Sequence, residues 1–388
     1  MRHAARAVMV LALGALTLQS ALAASAHSLR NPGTPASHGV RGQVRTVELD
    51  PGRATVTHAT TAAPFRMLGV TWDDPAAPLT GVAEVRTRAS GSLAWSEWRR
   101  LDSGDSHGDD SARRGGTDPL WVGTADEAEV RIVTDGEELS DLPEGLRLDL
   151  VDPGPGTAVG PLPTVPPPAA GPNAPGAAAA PRPAIVSRAG WGADESLSSQ
   201  PATYAASGKI KAAVVHHTAD SNSYTCADAA AVIRAIHAYH VNQLGWRDIG
   251  YNFLVDKCGT VYEGRKGGVD RAVVGAHAYG FNTQTTGIAV LGTFTTAAPP
   301  QAVLNSLGAL AAWKLGQYGI DPAGTTTLTA GADGTNYFHN SWLLGAPLTM
   351  PTLHGHRDGY NTECPGEKLY AELPAIRAIA AGKTPAKP

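Results

Sequence analysis

Residues 153–183 run PGPGTAVGPLPTVPPPAAGPNAPGAAAAPRP, and this stretch decides how the chain can be divided. It holds almost no bulky side chains, so it cannot bury enough apolar surface to offset the entropy of ordering it. A linker is the expectation. Its prolines favour an extended conformation of about 3.1 Å per residue, which would hold the flanking domains apart. The 44 Gly and 29 Pro of the 388-residue chain are concentrated in such connecting segments.

The first 26 residues read as a processing segment. Arg2 and Arg6 precede an apolar run from Ala7 to Leu18, and small residues follow at Ala21, Ala23, Ala24 and Ala26, the order of a secretory signal. Gln19 and Ser20 interrupt the run before it reaches the roughly 20 apolar residues of a membrane span. Export follows, as a secreted or wall-associated protein, with no membrane attachment after cleavage. Lys plus Arg number 31 against 35 Asp plus Glu, a net charge of −4, so no strong field draws the chain to nucleic acid or anionic lipid. Nothing in the sequence signals an oligomeric state.

Between residues 40 and 152, short alternating runs at Ala54 to His58, Val82 to Arg88, Ala94 to Trp98 and Glu129 to Val133 are separated by Gly, Pro and Asp clusters. This all-β pattern predicts a small sandwich-like domain. Trp72, Trp95, Trp98 and Trp121 are its candidate core or rim residues, because aromatic rings more often fill volume than recognise ligands. The acidic stretch from Asp102 to Asp110 reads as a solvated loop, since its spacing matches no calcium-binding loop.

From residue 184 to 381 the pattern turns to mixed α and β. Ile210 to His217 is a nearly continuous apolar run with polar residues at its end, as expected of a strand covered on both faces that opens onto a site. Thr225 to Leu244 carries Val232, Ile233, Ile236 and Tyr239 at helical spacing, with Gly245 just past its end. Asn252 to Asp256 and Thr260 to Glu263 predict a hairpin turning at Lys257, Cys258 and Gly259. Gly287 to Gly292 predicts a buried strand and Gln301 to Tyr318 a helix.

Three cysteines in an exported chain leave one outside any disulfide. Cys226, near a helix start, and Cys258, in a hairpin turn, can pair. Cys364 then needs another occupation. His216-His217-Thr218 ends the Ile210 strand, and Leu353 to Gly366 reads LHGHRDGYNTECPG, with His354, His356 and Cys364 in it. Imidazole and thiolate together prefer zinc, and three protein ligands leave a fourth position for water, the arrangement of a catalytic site. Taken singly, each histidine is a satisfied polar group near a strand end and Cys364 a buried small hydrophobe. The survival of a free thiol in an oxidising compartment favours the metal. His237 and His240, three apart on the helix, lack a third partner and are expected at a surface or rim.

Six segments together carry a resemblance: SRAGWGA at 187–193, VHHT at 215–218, DIGYNF at 248–253, GTVYEGR at 259–265, GHRD at 355–358 and CPG at 364–366. In this order they look like the peptidoglycan recognition proteins and the related type 2 N-acetylmuramoyl-L-alanine amidases. The likeness spans residues 184–381, about half of the chain. It implies an α/β fold with a mixed sheet flanked by helices. It also implies zinc ligands at His216, His356 and Cys364, and a catalytic tyrosine at Tyr251. Thr362 stands where phage members carry a lysine and many recognition-protein amidases a threonine, so a lysine-dependent mechanism is not assumed. Arg265, His277 and Asn282 lie in segments that in the family approach the muropeptide groove. His217 is expected to support or pack, because adjacent strand side chains point to opposite faces. Trp191 and Trp246 are expected to be packing anchors.

The activity implied is hydrolysis of the amide between the lactyl group of N-acetylmuramic acid and L-alanine. Zinc would bring the pKa of a bound water near 7, and Tyr251, with Thr362, would stabilise charge on the former carbonyl oxygen. A module that binds peptidoglycan without cutting it is the alternative. As a family property such modules commonly lack the metal cysteine, whereas this chain has both Cys364 and Tyr251. A zinc carboxypeptidase or endopeptidase would use the same metal logic within the stem peptide, and the motifs set it aside.

Overall fold

The computed structural model describes residues 43–49, 57–103, 108–133, 142–154 and 180–382. The expected signal segment and most of the expected linker lie outside these. Among the described residues no helix is long and apolar enough to cross a membrane.

The N-terminal half is all-β. Its strands are β1 (Gln43–Glu48), β2 (Thr57–Trp72), β3 (Val82–Ala89), β4 (Arg99–Arg100), β5 (Gly115–Gly116), β6 (Leu120–Val133) and β7 (Arg147–Asp152). They form one antiparallel sheet in the order β1-β7-β2-β6-β3-β4, with β5 on β2. The second half of β2 is buried on both faces, and alternation explains why. Leu68, Val70 and Trp72 enter the sheet domain's own core, while Met67 belongs to a cluster shared with the C-terminal half. The run Ala94 to Trp98, expected as a strand, makes only an isolated bridge between Arg88 and Trp95. Its tryptophans instead lie half-buried under guanidinium groups, Arg86 and Arg131 stacking on Trp98 at 4.8 and 4.2 Å.

The C-terminal half is built on β8 (Ile185–Val186), β9 (Ala212–His217), β10 (Phe253–Val255), β11 (Val261–Glu263), β12 (Thr285–Val290) and, further on, β17 (Leu353–Gly355). Their order is β17-β9-β12-β10-β11-β8, and only β10 and β11 run antiparallel to each other. This is the expected mixed sheet flanked by helices, with the expected hairpin in it. Helices α3 (Gln301–Gly316) and α5 (Leu373–Ala380) cover one face, where Ala213, Val215, Ile288 and Val290 meet Leu307 and Leu373. On the other face, Leu254 and Tyr262 meet Val232 and Ile236 of α2 (Ala229–Ala238). A short α1 (Arg188–Trp191) sits here too, its first turn capped by the Ser187 hydroxyl, and its Trp191 is buried as expected of an anchor.

The helix expected over Thr225 to Leu244 is three helical forms in succession: a 3₁₀ turn at Cys226–Asp228, α2, and a π turn at Tyr239–Gln243. Cys226 at its start is bonded to Cys258 in the β10–β11 turn, 32 residues away. Between α3 and β17 the chain forms two antiparallel strand pairs, one nested within the other. One is β13 (Thr325–Thr329) with β16 (Pro347–Pro351), and the other is β14 (Gly334–Thr335) with β15 (Ser341–Trp342). A further helix, α4 (Glu367–Ala371), precedes α5.

The two halves are packed together, which corrects the expectation that the linker would hold them apart. Met67, Trp121 and Val151 of the sheet domain share one apolar cluster with Val186, Tyr239 and Leu244. Burying such surface contributes about 25 cal/mol per Å², an incentive that a stiff linker alone does not oppose. Two glycines make the approach possible. A Cβ on Gly69 would lie 2.5 Å from the Tyr239 hydroxyl, and one on Gly116 would lie 2.6 Å from Leu244 Cδ2.

Candidate metal centre

Strand pairing assembles the site. Gly355 of β17 lies opposite Val215 of β9 in a parallel register, so His356, just past the end of β17, comes to lie beside His216, still within β9. Their rings are 4.5 Å apart. Cys364 returns to them on the loop that follows the 3₁₀ turn His356–Asp358. That loop is pinned by Arg357, whose backbone N–H donates to the Cys364 carbonyl at 2.9 Å and whose guanidinium donates to the Glu363 carbonyl at 2.8 Å. Arg357 also stacks on Tyr337 and Tyr370, 4.7 and 4.5 Å from their rings. Residue spacing alone does not assign Arg357 this role, and its place in the GHRD motif is the one signal for it in the sequence.

The ligand atoms of His216, His356 and Cys364 all lie within 4.8 Å of one another, and all three residues are buried. Cys364 Sγ is 3.7 Å from His216 Nδ1 and accepts from the His217 backbone N–H at 3.4 Å. Burial, then the neighbouring histidines His356 and His277, hold His216 well below the usual imidazole range. Burial likewise takes His356 down to about 3 and pushes the Cys364 thiol up. The donor set is thus two neutral imidazoles with lone pairs to give and one thiol whose proton a dication displaces. Such a set fits zinc.

The other predicted residues surround this trio. The Tyr251 ring is 5.4 Å from that of His216. Thr362 accepts from the Cys364 backbone N–H at 3.1 Å, so its hydroxyl shapes the cysteine loop. His277 is buried, with Nδ1 3.1 Å from His216 Nε2, within hydrogen-bond reach of that ring. Asn282 Oδ1 accepts from the His277 and Ala278 backbone N–H groups, and its Nδ2 donates to the Gly108 carbonyl of the sheet domain at 2.9 Å. Arg265 pairs with Asp109, also of the sheet domain. His217 is turned away from His216 and accepts from the Phe294 N–H at 3.3 Å, a supporting place.

His237 and His240 are buried instead of lying at a rim. His237 Nε2 meets Ser198 Oγ at 2.7 Å and Asp248 Oδ1 at 3.1 Å, and His240 Nδ1 accepts from the Gly250 N–H at 3.1 Å. Polar partners within the fold let both be enclosed. The acidic stretch from Asp102 to Asp110, whose residues 104–107 lie outside the described ones, keeps Asp102 and Asp110 exposed as expected and departs from that expectation at one position. Its Asp109 is 4% exposed because Arg265 and Ser111 satisfy its carboxylate. Burial raises its pKa, and the Arg265 charge with the hydrogen bonds outweighs that, bringing it down to about 2.

A sequence profile described as N-acetylmuramoyl-L-alanine amidase matches residues 206–367. Peptidoglycan-recognition protein SC2 of Drosophila simulans is 33% identical over 190 residues, which cover 49% of this chain and 84% of that protein. The chain belongs to the peptidoglycan recognition protein family. The Drosophila melanogaster SC2 protein matches equally, at 33% identity over 49% of this chain and 84% of its own length. Among solved structures, wild-type Drosophila PGRP-LB is similar at 26% identity and a TM-score of 0.37, over 52% of this chain and 97% of that one. Outside the family domain, a profile described as Rv3811 N-terminal galactose-binding domain-like matches residues 20–175.

Proposed function

We propose that this chain is an exported, zinc-dependent N-acetylmuramoyl-L-alanine amidase, hydrolysing the lactyl amide between N-acetylmuramic acid and L-alanine in peptidoglycan. The observation that carries the reading is the convergence of His216, His356 and Cys364 within 4.8 Å beside Tyr251. In this reading residues 1–26 are a signal removed on export, 40–152 an appended β domain, 153–183 a linker and 184–381 the amidase domain.

His216, His356 and Cys364 would hold the zinc, with His277 keeping the His216 ring in place. Zinc supplies, when bound, an acidified water and a Lewis acid for the amide carbonyl. The Tyr251 hydroxyl stabilises the charge that builds on the carbonyl oxygen as the tetrahedral centre forms. Thr362 keeps Cys364 presented through the hydrogen bond at 3.1 Å. The carbon–nitrogen bond then breaks, and the L-alanine amine leaves with a proton, giving free glycan and free stem peptide. The alternative, a peptidoglycan-binding module without catalysis, is disfavoured because both the thiol ligand and the tyrosine are present.

Mass spectrometry of purified peptidoglycan after digestion, with and without a chelator, tests the reading. New amino termini on L-alanine that vanish with chelator are expected. Intact lactyl amides in a zinc-loaded digest would leave only a binding role.

A further inference from the structure

Besides its apolar cluster, the sheet domain makes a second, polar contact with the amidase domain through the segment Gly108–Arg113. Gly108 is seated so closely that a Cβ would lie 2.8 Å from the Ala276 carbonyl and 3.0 Å from the Trp246 ring, while its own carbonyl accepts from Asn282. The Asp109 side chain is 2% exposed, pairs with Arg265 and accepts from the Arg247 N–H at 3.4 Å. Asp110 reaches the Arg247 guanidinium at 2.9 Å, and the Arg113 N–H donates to the Leu244 carbonyl at 2.9 Å.

These contacts lead straight to the metal set. The Arg265 N–H donates to the Tyr251 carbonyl at 2.8 Å, and Asn282 supports His277, which touches His216. On the opposite flank, Asp102 Oδ2 is 4.0 Å from His217 Nε2, and Leu101, Asp102 and Ser103 face Asn361, Thr362 and Glu363 across a cleft. Of the β4–β5 connection, residues 108–113 therefore contact the Tyr251 and Arg265 side of the site and residues 101–103 the Thr362 side.

The two kinds of contact differ in what can replace them. Nothing in a glycan substitutes for Met67 and Trp121 packed on Tyr239 and Leu244. A buried carboxylate–guanidinium pair gains little over its desolvation cost, and any other carboxylate can take the acid's place. Peptidoglycan stem peptides carry free carboxylates.

Resting on the reading of the trio as a muropeptide site, we propose that Gly108–Arg113 is an autoinhibitory element: Asp109 holds Arg265 in place of a stem-peptide carboxylate, and substrate must displace it. The apolar interface stays docked while the polar segment yields. Apparent affinity is then the intrinsic affinity multiplied by the fraction of chains in which the segment has left Arg265.

The test uses the full chain and two variants, Asp109→Ala, which removes the internal partner of Arg265, and Gly108→Leu, whose side chain meets Ala276 and Trp246. Calorimetry with a soluble monomeric muropeptide should show binding tighter by about tenfold in both, with zinc content unchanged. Equal or weaker binding by variants that still melt cooperatively overturns the proposal. Hydrolysis is followed separately, so tighter binding without cleavage sinks the amidase reading and leaves this one standing. Should the variants fail to fold, hydrogen exchange on the wild-type chain decides: the amides of residues 108–113 must exchange faster when muropeptide is added, and unchanged or slower exchange overturns the proposal.

Discussion

His277 Nδ1 lies 3.1 Å from Nε2 of His216, the histidine whose other ring nitrogen faces Cys364. A partner in that position fixes the ring orientation of a ligand, and such partners typically govern metal affinity by 10- to 100-fold. His277→Ala is therefore expected to weaken zinc binding by about 10- to 100-fold in a chelator competition. A residue that met only substrate would leave zinc affinity unchanged and raise KM alone, so the two roles separate in one pair of measurements.

Cys364 is the only thiol of the trio, and its loop is held by Arg357 and Thr362 independently of any metal. Cys364→Ala should consequently keep the fold while zinc falls below one per chain and hydrolysis is lost. Elemental analysis of the purified variant beside its circular dichroism checks both halves. Full activity in this variant would remove the metal centre from the mechanism.

Tyr251 is proposed to act on charge that exists only in the transition state. Tyr251→Phe should lower kcat by about 10²- to 10³-fold, the usual cost of losing one such donor, while zinc occupancy and KM stay near wild type. Loss of zinc in this variant would instead make the tyrosine a support for His216, whose ring it faces at 5.4 Å.

Part of this site was legible because its histidines and its cysteine fall in two short segments. Residue type pointed to the end of the Ile210 run and to Leu353–Gly366, and it was the family resemblance that singled out His216 and His356 from their neighbours His217 and His354. The position of His277 was not legible, since it depends on a loop that sets its ring against Gly287 of β12, and nothing around it in sequence marks it as a partner of His216. Asp109 was misread for a related reason. An acidic run looks solvated until a guanidinium from 156 residues away is brought to it. The docking of the two halves was hidden because period-2 alternation in β2 was masked by burial on both faces. A linker's composition limits its own conformation and says nothing of what its neighbours bury.

Tyr239 fills the space above Gly69 and Gly116, and its hydroxyl donates to the Thr117 carbonyl at 3.1 Å. Gly69→Val puts a side chain where the Tyr239 ring stands, yet on the opposite face of β2 it leaves Leu68, Val70 and Trp72 in their core. The sheet domain should fold while the interface opens. Calorimetric unfolding is expected to change from one transition to two, with overall loss of about 1–3 kcal/mol for the overpacked contact. A single transition at the wild-type temperature would mean that the halves are not coupled through Tyr239.

Asp220 lies at the same interface, where its carboxylate accepts from the backbone N–H groups of Trp121 in the sheet domain and of Ser221. Burial dominates these bonds and raises its pKa from 3.8 to about 7. The folded chain thus binds the proton more tightly than the unfolded one. Its stabilising contribution is complete below about pH 4, falls as pH rises and the unfolded chain ionises first, and is gone above about pH 7. Asp220→Asn keeps a carbonyl acceptor and removes the titration. The melting temperature of this variant relative to wild type should climb between pH 4 and pH 7 and level off beyond. A difference that stays constant across that window would show that Asp220 remains ionised in the folded chain, its charge held by the two N–H groups despite burial.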